Sequence, residues 1–514
     1  MYSTKILTVL MCAMMFFHAC KQSNGSLQLE AVPADALFVI ALENKQITDK
    51  SGLDHPEDFK IFDYINKAIG ENEEVASFYN KLVRDSKAAG VDKDRFYLYG
   101  ATQEEGIGTN YFDYGALIVK LSDAEVFEAL LKVSGLTDIQ DRGTYKMIES
   151  NDLTVVWNKQ IAQIFGGNVY QIDFETSFKR PKNILSVADF EQFQQRSYDV
   201  GLWMSYGALM TRINGMKDVV ELTGMSKFID EFSDTHIHAY LDFNDAEILL
   251  SIVATPQDKM ELFYKNLAKE FNQQLLNDSP ETSFFAFNMS VNMAEYIRLL
   301  KDMTGNAILF DEMLNDATTS TVINAFEGDL LLNLYGFAQG PLPLPLAGVG
   351  FTVKDRESFD RLVFLLKREM PVSAVGEHYS VSLGGFIPAY FAFKDNRVLV
   401  TNDAENIAEF LKGRSGKTLA SNPIGNIMKE SHYSSYINLD FDSYPEAIRN
   451  LAQASMGNKF ESFRSTISPF KDLTVRTTDK YRGSSMSLRF KNKGNSLKQL
   501  LQSIDKIVAE SGSL

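Results

Sequence analysis

Apolar positions along this chain follow two periods. In "THIHAYLDF", Ile237, Ala239, Leu241 and Phe243 alternate with His236, His238, Tyr240 and Asp242. A two-residue period describes a strand with two unlike faces. Elsewhere apolar residues recur every three or four positions, the stripe of a helix. Val75, Phe78, Tyr79, Leu82 and Val83 form such a stripe. Met260, Phe263, Leu267 and Phe271 form a second, with Thr255 as its cap and Pro256 opening it. Leu497, Leu500, Leu501, Ile504 and Val508 form a third, near the C-terminus. Asn158-Lys159, Asn244-Asp245 and Asp395-Asn396 read as hairpin turns between strands.

These elements recur in one order. "FYLYG" from Phe96 and "LLNLYG" from Leu331 each predict a strand ending Leu-Tyr-Gly, at Leu98-Tyr99-Gly100 and Leu334-Tyr335-Gly336. Each continues into a glycine- or proline-rich loop, a strand ending Val-Lys, an acidic turn and a helix whose first apolar contact is Phe127 or Phe359. "LTVVWNKQIAQIF" is matched by "AYFAFKDNRVLVT", and "ADALFVIALEN" by "ETSFFAFNMSV". An ordered series at an offset of about 235 residues points to two copies of one unit. The expected fold is α+β. It has two similar lobes, each a largely antiparallel sheet with helices packed on one face and water on the other. The expected divisions are a signal peptide at 1–19, a tether at 20–28, and lobes at 29–276 and 277–514. The second lobe starts within the polar "QQLLNDSPET".

The first 19 residues belong to neither lobe. Lys5 is their one charge, and Ile6 to Phe17 is an apolar or small-residue run of about a dozen. A membrane-spanning helix needs roughly 18 to 20 such residues, so this run suits a secretory leader. "MMFFHACKQS" turns from apolar to polar at Cys20, directly after the small Ala19. That is the arrangement of a lipobox, in which the leader is cut and Cys20 becomes the lipidated N-terminus. Cys12, the other of the two cysteines, leaves with the leader. No disulfide framework is then available to the body, which must be held by its core. The absence of aspartate at Lys21 favours the outer membrane over inner-membrane retention. The expected membrane partner is reached through the lipid alone.

Charge limits the other partners. The net charge is -16 with a pI near 5.0. Such a surface repels phosphate backbones, which excludes nucleic acid as the expected partner. An envelope protein or a glycan remains open.

The Cys20 switch, the "VPADALFVIALEN" opening and the paired Leu-Tyr-Gly segments together resemble a family of large uncharacterised lipoproteins of Bacteroidota-type bacteria. The resemblance covers nearly the whole chain after the leader. It implies an envelope location and this architecture. The family is known as a domain of unknown function, so it supplies no catalytic residues.

Three stretches carry candidate chemistry. His236, His238 and Asp242 share one face of a predicted strand and are donor types that suit zinc. The simpler expectation is the wet face of an antiparallel sheet, with no metal and no other cofactor. "GPLPLPLAG" carries Leu342, Leu344 and Leu346 on a proline-stiffened segment expected to stay out of ladder pairing. They are either partner-docking residues or the cover of a sheet end. Asp440 and Asp442 share a face of a predicted strand in "INLDFDSY", the residue types of an acid–base pair. Walker A, His-Glu-x-x-His, Gly-x-Ser-x-Gly and Cys-x-x-Cys patterns do not occur. The leading expectation is a non-enzymatic binding or scaffolding lipoprotein of the envelope. The alternative is an envelope or polysaccharide hydrolase working with surface carboxylates.

Overall fold

The structure is a computed structural model and describes residues 26–51, 59, 89–102, 113–150, 153–214, 234–255, 265–304, 316–338, 344–383, 387–478 and 483–511. Cys20, the stripe from Val75 to Val83, Met260, Phe263 and Leu342 lie outside them. The chain is mixed α and β, with antiparallel pairing throughout its ladders, and divides into two compact units. One lies within residues 1–216, 232–256 and 491–514, the other within 217–231 and 257–490.

The first unit holds β1 (Phe38–Leu42), β2 (Val91–Ala101), β3 (Tyr114–Leu121), β4 (Gln140–Asp141), β5 (Lys146–Ser150), β6 (Leu153–Trp157), β7 (Ile161–Gly167), β8 (Val200–Ser205), β9 (His236–Asn244) and β10 (Glu247–Thr255). Their pairing order is β10-β9-β8-β1-β2-β3-β7-β6-β5-β4. The second unit holds β11 (Phe285–Ser290), β12 (Phe326–Phe337), β13 (Pro345–Val353), β14 (Val372–Val375), β15 (His378–Leu383), β16 (Ile387–Lys394), β17 (Arg397–Thr401), β18 (Tyr433–Asn438), β19 (Phe470–Thr478) and β20 (Gly483–Phe490). Their order is β20-β19-β18-β11-β12-β13-β17-β16-β15-β14. Position for position the two orders are the same. The Leu-Tyr-Gly segments lie in β2 and β12, each flanked by the first and third strands of its unit.

Helices cover both faces of each ladder, where the sequence suggested one. In β1, Leu42 joins one core and Val39 and Ala41 join another. In β2, Phe96 and Leu98 face the first core, Tyr97 and Tyr99 the second. The first core is closed by α2 (Asn44–Ser51) through Ile47 and by α3 (Ala124–Val133) through Phe127, Leu130 and Leu131. The second is closed by α1 (Ser26–Glu30) through Leu29, by α4 (Phe174–Ser177) through Phe174, and by α5 (Phe190–Gln195) through Phe190 and Phe193. In the second unit α10 (Arg356–Glu369) places Phe359 and Val363 against Phe391 and Val398. Leu275 and Leu276 of α7 (Gln274–Asp278), Ile407 and Phe410 of α11 (Ala404–Lys412), and Ile424 and Met428 of α12 (Pro423–Lys429) belong to two further cores. The reason is visible in the strands. β3 is buried at seven of its eight positions, as a strand with two covered faces must be, and its "YGALIV" is almost wholly apolar or small. Two more helices, α8 (Met293–Thr304) and α9 (Ala317–Ala325), lie between β11 and β12, and α6 (Tyr206–Asn214) follows β8.

Local chemistry sets the element ends. Asp123 accepts from the Glu125 and Val126 amides at the start of α3, and Asp355 from the Ser358 amide at the start of α10. Asp395 and Asn396 both have positive φ between paired Lys394 and Arg397, the geometry of a two-residue hairpin turn. The hairpin expected at Asn244-Asp245 turns one residue later, on Asp245-Ala246.

The divisions differ from those expected. Ser26–Glu30 is a helix with Gln28 and Leu29 buried, so the expected tether runs into the folded body. The boundary placed at 276/277 falls inside α7. Phe271, expected on the same helix as Leu267, lies past the helical residues 265–267, in the core of the second unit with Leu275. The C-terminal helix, Ser496–Ser511, belongs to the first unit, where Leu497 and Leu501 are buried with Phe243.

Gly90 supplies a test of this packing. Its φ is +68°, and a Cβ there would run into the Asp123 carbonyl and the Phe127 amide at the start of α3. Gly143 has φ +82° and open space around it. Gly143→Ala is expected to cost only the left-handed backbone penalty, about 1–2 kcal/mol. Gly90→Ala adds the clash and is expected to cost at least about 1 kcal/mol more. Denaturant unfolding followed by tryptophan fluorescence measures both, because Trp157 and Trp203, the only two tryptophans, are in the first unit. Equal losses for the two variants would contradict the packing described.

Candidate functional site

The histidine strand leads to a polar cluster of the first unit centred on Asp189. Strand alternation puts His236, His238 and Tyr240 on one side of β9. That side is covered, not wet: His238 is 1% and Tyr240 3% exposed. Phe193 of α5 packs its ring edge against His238 and stacks on Tyr240. Asp189, immediately before α5, turns its Oδ2 toward the strand. His238 Nε2 is 3.0 Å from it and His236 Nδ1 3.1 Å. Thr255 Oγ1 donates to the same oxygen at 2.8 Å and Trp203 Nε1 at 3.3 Å. The Tyr240 hydroxyl lies 3.4 Å from His238 Nδ1, on the side of the ring away from Asp189. The His236 ring stacks on the Trp203 indole with centroids 4.9 Å apart. Burial raises the pKa of Asp189, but hydrogen bonds from His236, His238 and Thr255 outweigh it and hold the carboxyl well below its ordinary range.

Asp242 points to a different cluster, so the three residues singled out in the sequence are not one site. It lies near Asp199, which is fully buried, 2.9 Å from Lys50 Nζ, and accepts the Phe243 amide at 2.7 Å. Burial, and then Asp199, push the Asp242 carboxyl up. Glu43, just past β1, pairs with Arg95 of β2, whose Nη1 donates to the Tyr97 hydroxyl at 3.2 Å. Burial raises the Glu43 carboxyl although Arg95 pulls it down. The Glu43 amide donates to the Asp199 carbonyl at 2.9 Å. These charges tie the ends of β1, β2 and β8 together. Among the described residues no three histidine, cysteine or acidic side chains are placed to hold a metal ion.

The second unit has a comparable carboxylate centre. Asp329 of β12 is 1% exposed and accepts from Ser290 Oγ and Thr352 Oγ1 at 2.8 Å, from Lys269 Nζ at 3.0 Å and from the Asn272 amide at 3.1 Å. It thereby joins β11, β12, β13 and the segment before α7. Lys269, which pairs with Asp329, also lines a cavity of about 400 Å³ together with Met293, Ile297, Ile323, Phe326 and Glu327. Lys269 is already held by Glu327 and Asp329.

Asp440 and Asp442 are not a strand pair. β18 ends at Asn438, and Asp440 precedes a single 3-10 turn, Phe441–Ser443. Asp442 pairs with Arg464 at 3.1 Å. The proline-rich stretch also departs from expectation. Pro345 pairs with Phe337, and the Ala338 amide donates to the Leu344 carbonyl at 2.8 Å, so the ladder reaches into it. A proline is tolerated there because it starts the strand and its missing amide breaks no inner bond. Leu344 is 39% exposed, while Leu346 is half-buried opposite Gly336.

Comparison with known proteins places residues 29–497 in a family described as Domain of unknown function (DUF4836). The chain belongs to that family. No curated protein matches it. Among solved structures, crystal form IV of TP0453 is similar at 14% identity and a TM-score of 0.26, covering 48% of this chain and 88% of that one. Crystal form I of TP0453 is similar at 11% identity and a TM-score of 0.26, covering 75% and 96%. Likenesses of that size carry no argument about fold or function.

The signal that could have found Asp189 was weak. "VADFEQF" reads as a helix start with an acidic cap, and Asp189 does precede α5, yet its side chain makes no cap bond. It is spent on the histidines instead. Because the folded state keeps Asp189 ionised below the ordinary carboxylate range, the cluster stabilises the first unit fully above the unfolded pKa of about 3.9. It loses that contribution as pH falls toward the lower folded value. Asp189→Asn is therefore expected to destabilise the unit at pH 7, by about 2–4 kcal/mol. The loss should shrink as pH falls below about 4. Denaturant unfolding followed by tryptophan emission at pH 7 and at pH 3 measures it. A wild type and variant that differ equally at pH 7 and pH 3 would rule out an ionised Asp189 at the centre.

Proposed function

We propose that this protein is a lipid-anchored, non-enzymatic binding or scaffolding protein of the cell envelope, built from a duplicated α+β unit. The observation that carries the non-enzymatic part is what four carboxylates among the described residues are bonded to. Asp189, Asp199, Asp329 and Asp472 are each satisfied by groups that join strands, namely imidazoles, hydroxyls, lysines, an arginine and backbone amides. A general acid or base needs a reacting proton within reach and a carboxyl free to exchange it. These carboxylates bridge elements. Duplication is supported by the shared ten-strand order, since chance recurrence of so many pairings in sequence is harder to obtain than a common unit.

The anchor rests on Cys20 at the apolar-to-polar switch. A lipidated N-terminal cysteine carries more than one acyl chain, and each buried CH₂ contributes about 0.8 kcal/mol, enough together for stable attachment. The location that follows is the outer membrane, with an envelope protein or a glycan as partner. Cys20→Ala is expected to abolish incorporation of labelled palmitate and to shift the protein from the membrane fraction to the soluble or uncleaved precursor pool. Undiminished palmitate labelling in that variant would overturn the anchor.

A further inference from the structure

The chain completes its first unit last. Residues up to 256 supply ten strands, the chain then builds the second unit through Phe490, and only Lys491–Leu514 returns. The returning segment enters through "KNKG", four exposed residues ending in Gly494 at φ +116°. The tip of the β9–β10 hairpin grips it there. The Gly494 amide donates to Asp245 Oδ1 at 2.5 Å, and the Ala246 amide donates to the Gly494 carbonyl at 2.8 Å. Asn495 Nδ2 donates to the Phe243 carbonyl at 2.9 Å, while its Oδ1 accepts from the Leu497 amide at 3.0 Å and starts the helix. One helical face then settles on the unit. Leu497 and Leu501 are each 3% exposed, in the same core as Leu42, Ile47, Phe243 and Trp157.

We propose that this C-terminal helix is a removable strap, and that its seat on the first unit accepts the same segment from a second copy of this chain. Its grip is local. A polar four-residue linker leads to one hairpin tip and one stripe of leucines, with no strand of the ladder contributed. Among the described residues, those shown to grip it, Leu42, Ile47, Trp157, Phe243, Asp245 and Ala246, all precede the second unit's strands in the chain. Attachment to the chain raises the strap's effective concentration at its seat. Freed of that attachment, the strap exchanges with any identical segment in solution.

The test uses full-length protein carrying a protease site inserted between Asn492 and Lys493. After cutting, a fluorescent synthetic peptide of residues 491–514 is expected to bind with a stoichiometry of one per chain. Dilution without peptide is expected to lower the midpoint of the tryptophan unfolding transition, and added peptide to restore it. A peptide with Leu497→Ala and Leu501→Ala should bind at least roughly ten-fold more weakly. A second measurement needs no insertion. Uncut chain with Leu501→Ala should take up the wild-type peptide at least roughly ten-fold more than uncut wild type does. Uptake that is absent from the fully cut chain, equal for the two peptides, or equal for the two uncut proteins would overturn the strap.

Discussion

The structure depends on burying both faces of a short run of central strands. In each unit the first three strands in chain order lie at the middle of the ladder. In the first unit their side chains point alternately into two apolar cores, and in the second β11 alternates buried with half-buried positions. A strand covered on both sides has no wet face, so helices must be found for each. That requirement accounts for α3 and α10 on one face and for α5, α11 and α12 on the other. It also explains why a short helix precedes the first strand in both units, at Ser26–Glu30 and Gln274–Asp278. Leu29 and Leu275 plug the second face before the ladder begins.

Polar groups follow from the same constraint. A charge taken inside such a layer is costly unless it is paired and hydrogen-bonded. Asp189 collects two imidazoles, a hydroxyl and an indole. Asp329 collects a lysine, two hydroxyls and an amide. Each fastens three or more elements that apolar contact alone leaves free to slide. A carboxylate so engaged acts as a fastener between elements.

Much of this was legible in the sequence. The Leu-Tyr-Gly strands, the Asp-capped helices at 124 and 356 and the turn at Asp395-Asn396 announce themselves through period and turn chemistry. What failed to show has physical causes. Alternation in "THIHAYLDF" looked like a wet face because histidine and tyrosine are polar at one atom and apolar elsewhere, and here the rings are packed while the nitrogens find Asp189. The unit boundary was hidden because a C-terminal helix carries a stripe without an address. Its leucines fit either sheet by periodicity, and only tertiary contact assigns them to the first. Asp440 and Asp442 were read as strand because alternation over four residues is too short to separate a strand end from a 3-10 turn.

Amide hydrogen exchange followed by mass spectrometry tests the central claim most directly, because it ranks local stability along the backbone. If the central strands are the best-covered part of each ladder, the slowest exchange will be in β1–β3 and in β11–β13, with the outer hairpins of β4–β5 and β14–β15 opening first. Slow exchange confined to one unit, or strongest in those outer hairpins, would contradict it.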